Sequence, residues 1–203
     1  MKALDTVEAK FVASHTAAFK EAGVLAVGLY YFKASQFKDL LTHEVAKKIS
    51  SAGLKIFSVY ENGFPTQVSY FTHDKANMDA HTAAVRSADA QQPSGTPIYF
   101  AVDYDAELAD LPAITTYFTE VRRVFDVLEN GHTLGVYSSG RVCKHLLGEG
   151  LVTHTWLCQS TGFADFTSFK PQANIVQQMP KILLGQDVDP DVLQHDPGTW
   201  QLH

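Results

Sequence analysis

Apolar and polar positions along the 203-residue chain switch repeatedly between two periods. Short runs rich in β-branched and aromatic residues read as strands, and stretches with apolar residues every three or four positions read as helices. Lys2 to Asp5 predicts a short first strand. Ser14 to Gly23 predicts a helix capped by Ser14, and Val24 to Phe32 the second strand. The polar loop Lys33 to Leu41 leads to a helix capped by Thr42, with Val45, Ile49 and Ala52 on one stripe and Gly53 as its stop. Lys55 to Tyr60 predicts the third strand, which ends at Glu61-Asn62-Gly63, and the Ala-rich Asp74 to Gln91 suits a helix. Pro97 to Asp105 carries the fourth strand. Asp110 and Pro112 open the longest helix, whose Ile114, Tyr117, Phe118, Val121, Val124, Phe125 and Leu128 form a broad apolar face. Thr133 to Ser138, His154 to Gln159, Asn174 to Met179 and Gly185 to Asp189 complete eight strands, with a short helix over Arg141 to Leu147.

Eight strands with helices between most of them predict a parallel α/β architecture, and the count favours a (β/α)8 barrel of the TIM type over an open sheet. Regularity fades in the last third. Thr161 to Gln172 shows no convincing helix, and little but Pro180-Lys181 separates strand seven from Leu183-Leu184-Gly185, so the barrel is expected to be irregular or incomplete there. The length and a hydrophobic content of 45% suit one domain spanning residues 1–203.

The central run Pro97-Ile98-Tyr99-Phe100-Ala101-Val102-Asp103-Tyr104-Asp105 organises the rest. Alternation puts Ile98, Phe100, Val102 and Tyr104 on one face and Tyr99, Ala101, Asp103 and Asp105 on the other. Two carboxylates buried under helices would be costly unless paired, so the acid face is expected to look into the barrel at its C-terminal end, where such enzymes keep their chemistry. Acids recur at the other strand ends, at Asp5, Glu61, Asp187 and Asp189, and aromatics beside them, at Tyr31, Tyr60, Tyr104, Tyr137 and Trp156. Carboxyl groups crowded in one bowl push at least one pKa up and keep a proton available near neutrality. Glycoside hydrolysis needs that proton for the leaving oxygen, a second carboxylate for the cationic sugar or the water, and flat rings to hold the substrate. Each acid also has a plainer reading, as a cap, a turn residue or a structural hydrogen-bond partner.

A net charge of -6 and no cluster of basic residues argue against nucleic acid as a partner. No segment is long and apolar enough to span a bilayer, and the start of the chain lacks a signal-peptide pattern. Synthesis in the cytoplasm with action outside it would then require lysis or an unconventional export route. Cys143 and Cys158 sit in apolar segments and are expected as buried free thiols. The nine histidines are scattered without metal-ligand spacing, and no glycine-rich phosphate fingerprint follows strand one, so no cofactor and no metal are expected. An oxygen-rich divalent-metal site built from the same carboxylates is a weaker alternative.

The central run, together with Leu4-Asp5-Thr6, Val59-Tyr60-Glu61, Gly135-Val136-Tyr137-Ser138, Trp156 and Gln159, resembles the bacterial glycoside hydrolase-like barrel family, which is similar to the family 25 muramidases. The resemblance runs nearly the length of the chain and takes in Gln178 and Asp189. It implies a glycosidase acting on a β-linked amino-sugar polymer, peptidoglycan foremost, as a monomer at the cell wall, with export machinery or an inhibitor protein as further partners. It places Asp5 at the muramidases' first-strand aspartate, Asp103 and Asp105 at their Asp-x-Glu, and Asp187 or Asp189 at their last-strand aspartate. Asp105 stands where the muramidases have the glutamate acid, so either Asp105 or Glu61 is the expected general acid. The rival expectation is a non-catalytic carbohydrate-binding or structural barrel that kept the groove.

Overall fold

The structure, a computed structural model, describes residues 2–32 and 40–203, so the predicted loop over Lys33 to Leu41 lies almost wholly outside the described residues. The elements are β1 (Lys2–Asp5), α1 (Ala9–Ser14), α2 (Thr16–Glu21), β2 (Ala26–Tyr31), α3 (His43–Ser51), β3 (Lys55–Tyr60), α4 (His73–Ala90), β4 (Pro97–Ala101), α5 (Leu111–Val127), β5 (Thr133–Ser138), α6 (Gly140–Gly148), β6 (His154–Leu157), α7 (Phe166–Phe169), β7 (Ile175–Gln177), β8 (Lys181–Leu183) and β9 (Gln186–Leu193). Strands β1 to β7 run parallel in sequence order. β9 then pairs antiparallel with both β7 and β1 and closes an eight-stranded ring, while β8 pairs with β9 as a hairpin arm.

The alternating pattern is what makes the ring possible. Leu4, Val27, Leu29, Ile56, Ile98, Phe100, Val102, Leu134 and Val136 point outward into the layer beneath the helices. Ala3, Ala26, Phe57, Val59, Tyr99, Trp156, Ile175 and Leu193 fill the barrel interior as a second, separate core. The helices meet the sheet through the faces their periodicity predicts: α5 buries Ile114, Tyr117, Phe118, Val121, Val124 and Phe125. Side-chain oxygens of Thr42, Thr72 and Ser139 cap α3, α4 and α6 by accepting a backbone N–H of the first turn.

Four expectations are corrected. The helix expected over Ser14 to Gly23 is α2, which has no side-chain cap from Ser14, and a second short helix, α1, precedes it and is separated from it at His15. The longest helix is α4, with 18 residues against 17 in α5. The strand expected over Gly185 to Asp189 is longer and runs antiparallel, because only the hairpin turn at Leu184-Gly185, both at positive φ, separates it from β8 and no helix intervenes to restore direction. The ring is also closed, since β9 takes the place a parallel eighth strand would fill. Cys143 and Cys158 are free and buried.

The interior core holds large rings only where glycines make room. A Cβ at Gly135 would lie 2.5 Å from Tyr99 Cδ1, and Tyr99 is held in place by its hydroxyl, which donates to the Pro197 carbonyl at 2.9 Å. Overfilling a packed core costs ~1–3 kcal/mol. Gly135→Ala is therefore expected to lower unfolding free energy by about that amount, measured by urea denaturation. An unchanged midpoint would show that the barrel interior has slack.

Candidate active site

The inward positions of successive strands stack in layers, and the uppermost layer is polar. Above the Phe57, Tyr99 and Trp156 floor, β1 contributes Asp5, β2 Tyr30, β5 Tyr137, β7 Gln177 and β9 Asp191. At the mouth stand Glu61 just past β3, Asp103 just past β4, and Asp189 on β9. Asp5 accepts from the Tyr30 hydroxyl at 2.9 Å on Oδ1 and from Gln177 Nε2 at 2.9 Å on Oδ2. Gln177 Oε1 in turn accepts from the Tyr137 hydroxyl at 2.8 Å and the Gln159 backbone N–H at 3.3 Å, which fixes the orientation of the amide. Trp156 Nε1 donates to Asp191 Oδ1 at 2.9 Å.

The register explains this gathering. Asp5 lies directly opposite Asp189 in the β1–β9 ladder, and alternation along β9 turns Asp187, Asp189 and Asp191 to the same face. Gly28 is the inward β2 residue beside Asp5, and a Cβ there would meet Asp5 Cβ at 2.7 Å. Only a glycine leaves the Asp5 side chain its position.

Electrostatics follow from crowding: among the described residues no lysine or arginine pairs with these acids. Burial raises Asp5, Asp189 stands against it, and the hydrogen bonds from Gln177 and Tyr30 only partly offset the rise. Asp191 is pushed well above the carboxylate range by burial and then by Asp5. Glu61 is raised to about 7, first by burial and then by the neighbouring Asp103. Burial also raises Asp103, which opens onto solvent at the mouth, and Asp189 is raised by burial and by Asp187. The mouth therefore holds one carboxyl that keeps its proton to neutrality beside others that share its environment.

The structure brings together Asp5, Glu61, Asp103, Tyr137 and Asp189 among the residues singled out by sequence. Trp156 faces inward as well, but wholly buried beneath the others, with its ring edge-on to Tyr137 at 4.9 Å between centroids. Asp187 is exposed on the hairpin arm, above the ring. Tyr31, Tyr60, Tyr104 and Gln178 point elsewhere. Tyr31 turns outward and donates to Gln92 Oε1 at 3.0 Å, and Tyr60 turns outward and donates to Asp79 at 2.8 Å. Asp79 also accepts from Tyr70 and Tyr117, and Lys75 pairs with it, so Tyr60 belongs to a buried polar network between β3, α4 and α5. Tyr104 packs on Phe71 outside the ring. Gln178 lies on the opposite face to Gln177, and its backbone N–H donates to the Pro190 carbonyl at 2.7 Å.

Asp105 also departs from its expected place. β4 ends at Ala101, so strand alternation no longer governs position 105. Its exposed carboxylate accepts the Ala164 backbone N–H at 2.8 Å and ties down the loop before α7. Sequence reasoning missed Tyr30, Gln177 and Asp191. The last was legible in the Asp-x-Asp-x-Asp spacing of a strand, in which all three acids must share a face.

Known proteins resemble this chain in sequence or in the arrangement of strands. YbfG of Bacillus subtilis is 37% identical over 125 residues, 57% of this chain and 17% of YbfG, so the match spans about a sixth of the length of that curated relative. The Tat-secreted protein Rv2525c of Mycobacterium tuberculosis superposes with a TM-score of 0.78 at 21% identity, over 98% of both chains. The modular autolysin LytC of Streptococcus pneumoniae, solved with a synthetic peptidoglycan ligand, gives 0.62 at 12% identity over 94% of this chain and 46% of LytC. A family 25 glycosyl hydrolase from Bacillus anthracis gives 0.59 at 12% identity, over 97% of this chain and 89% of that one. At these identities the solved structures show a common fold. The Rv2525c-like, glycoside hydrolase-like domain family matches residues 17–196, and this chain belongs to it.

Proposed function

We propose that this domain hydrolyses a β-linked amino-sugar polymer, peptidoglycan foremost, with Glu61 as general acid and Asp103 as its carboxylate partner. The observation that carries this reading is the Glu61 carboxyl, held protonated to about 7 at an open mouth and next to a second carboxyl. Protonated Glu61 donates to the glycosidic oxygen as the bond to the anomeric carbon breaks. Asp103, ionised, faces the positive charge that develops on the sugar ring, or takes the proton of the incoming water. Water supplies the hydroxyl of the new reducing end. Asp5, Asp191, Gln177 and Tyr30 lie one layer deeper and hold the floor of the bowl, and Asp189 completes its wall. Asp105 is assigned to anchoring the loop before α7. The peptidoglycan ligand of LytC and the secreted nature of Rv2525c support action at the cell wall. Among the described residues no helix is long and apolar enough to cross a membrane.

The direct test is release of reducing ends from purified peptidoglycan in the presence of EDTA, with mass spectrometry of the new ends. Glu61→Gln is expected to lower kcat by ~10²–10⁴-fold, the usual share of a general acid, while Asp105→Asn changes it by less than about fivefold. The reverse order of effects would return the acid role to Asp105. Saccharide binding without turnover would select a binding barrel instead.

The pH profile follows from the same group. An acid with a raised pKa must be protonated to act, so kcat/KM is expected to fall above about 7 and to fall again at low pH as Asp103 takes up a proton. A rate that rises steadily through pH 8 would exclude Glu61 as the donor.

Stability carries an independent signature. Glu61 binds its proton more tightly folded than unfolded, so stability falls as pH rises from the ordinary glutamate range to about 7, then levels off. Glu61→Gln removes that loss. Its melting temperature is expected to exceed that of wild type by about 5 °C at pH 8, with the gap closing near pH 4. Equal differences at both pH values would mean that the carboxyl is not perturbed by the fold.

A further inference from the structure

We propose that Phe64 is a sugar-stacking platform at the mouth of the barrel, a positioning residue that favours glycan chains of several sugars over short fragments. The proposal rests on the glycosidase reading for the class of its ligand. The rings expected from sequence to hold the sugar are buried or point elsewhere: Trp156 is fully enclosed, Tyr31 and Tyr60 face the helices, and Tyr104 packs on Phe71. Among the described residues, Phe64 is the one exposed Phe, Tyr or Trp side chain, at 71%.

Its setting is built rather than loose. Phe64 has a φ of 61°, a left-handed conformation that a bulky residue rarely adopts, directly after Gly63 at 82°. Both flanks are tied. The Asn62 carbonyl accepts from the Tyr70 hydroxyl at 2.8 Å, and the Pro65 carbonyl accepts the backbone N–H of Asp103 at 2.9 Å. The Thr66 N–H closes the turn onto the Phe64 carbonyl at 2.8 Å. Strain of this kind persists where neighbours over-determine it, and it clusters at ligand clamps.

The same bonds locate residue 64. Phe64 follows Glu61 by three residues, so their Cα atoms are at most ~11 Å apart, and the next residue is bonded to the Asp103 backbone. The platform therefore stands beside the acid pair, displaced from it along the rim. A pyranose of β-linked sugars presents a flat face of C–H groups, whose positive edge suits the negative face of an aromatic ring. A sugar bound there would be a neighbour of the one being cleaved.

Phe64→Ala and Phe64→Trp test this, read by kinetics on peptidoglycan strands and on the shortest fragment that is cleaved, and by equilibrium binding of the strands in the Glu61→Gln background. On strands, Phe64→Ala is expected to raise KM and Kd about tenfold, as for loss of one covered ring face, with kcat and melting temperature unchanged. Phe64→Trp should restore or tighten both. On the shortest fragment the two variants should match wild type. Unchanged KM and Kd for Phe64→Ala on strands, in a protein that cleaves them, would overturn the platform and leave the glycosidase reading standing. Strand binding without cleavage by wild type would overturn the glycosidase reading, and the Kd of Phe64→Ala would then decide the platform alone. If wild type neither binds nor cleaves strands, both fall.

Discussion

The antiparallel seam between β1 and β9 is the constraint from which the rest of the site follows. It sets Asp5 opposite Asp189 and brings Asp191 within electrostatic reach of Asp5, inside a ring whose walls exclude water. The hydrogen bonds these buried acids accept come from Tyr30, Gln177 and Trp156, all neutral donors, and Asp191 and Asp5 share one with each other. Neutral donors satisfy lone pairs without supplying charge. Two carboxylates in such a place cannot both ionise cheaply, so the fold can keep them together only by keeping a proton with them. That condition propagates upward, because every acid added to the mouth is added to a bowl in which, among the described residues, no positive charge pairs with the acids.

Most of the ring was legible because two-residue alternation survives in single strands. Lys55 to Tyr60 and Thr133 to Ser138 coincide with β3 and β5, and the outward assignment of Ile98, Phe100 and Val102 matches the layer beneath the helices. Errors within the site arose where alternation could not choose. Tyr30-Tyr31 and Gln177-Gln178 are pairs of identical residues, and composition says nothing about which member faces inward. A slip of one position sends the side chain to the other side of the sheet. Tyr60 is different. Once Glu61 is taken as inward, its neighbour must face out, so that placement was available from the sequence. The reversal of β9 was less so, since its cause is the short hairpin connection and an absent helix rather than any pattern inside the strand.

Asp103 and Asp105 show where a strand pattern stops being valid. Parity held to Asp103 because Val102 still donates its N–H to the Tyr137 carbonyl, continuing the ladder past Ala101. Beyond it the chain turns. A backbone donor, the Ala164 N–H, is close enough to claim the Asp105 carboxylate, and a carboxylate committed to a loop is poorly placed to trade protons with a ligand.

The position of Glu61 relative to Asp103 then becomes a matter of register. Tyr60 pairs with Phe100, so Glu61 begins level with Ala101, and Asp103 begins two residues higher on the adjacent strand. Two residues of extended chain rise ~6.6 Å, and adjacent strands lie ~4.8 Å apart. Glu61, at the lower starting point, carries the longer side chain, and Asp103 stands near enough to raise the Glu61 carboxyl. An aspartate at position 61 would reach about one methylene less far toward Asp103.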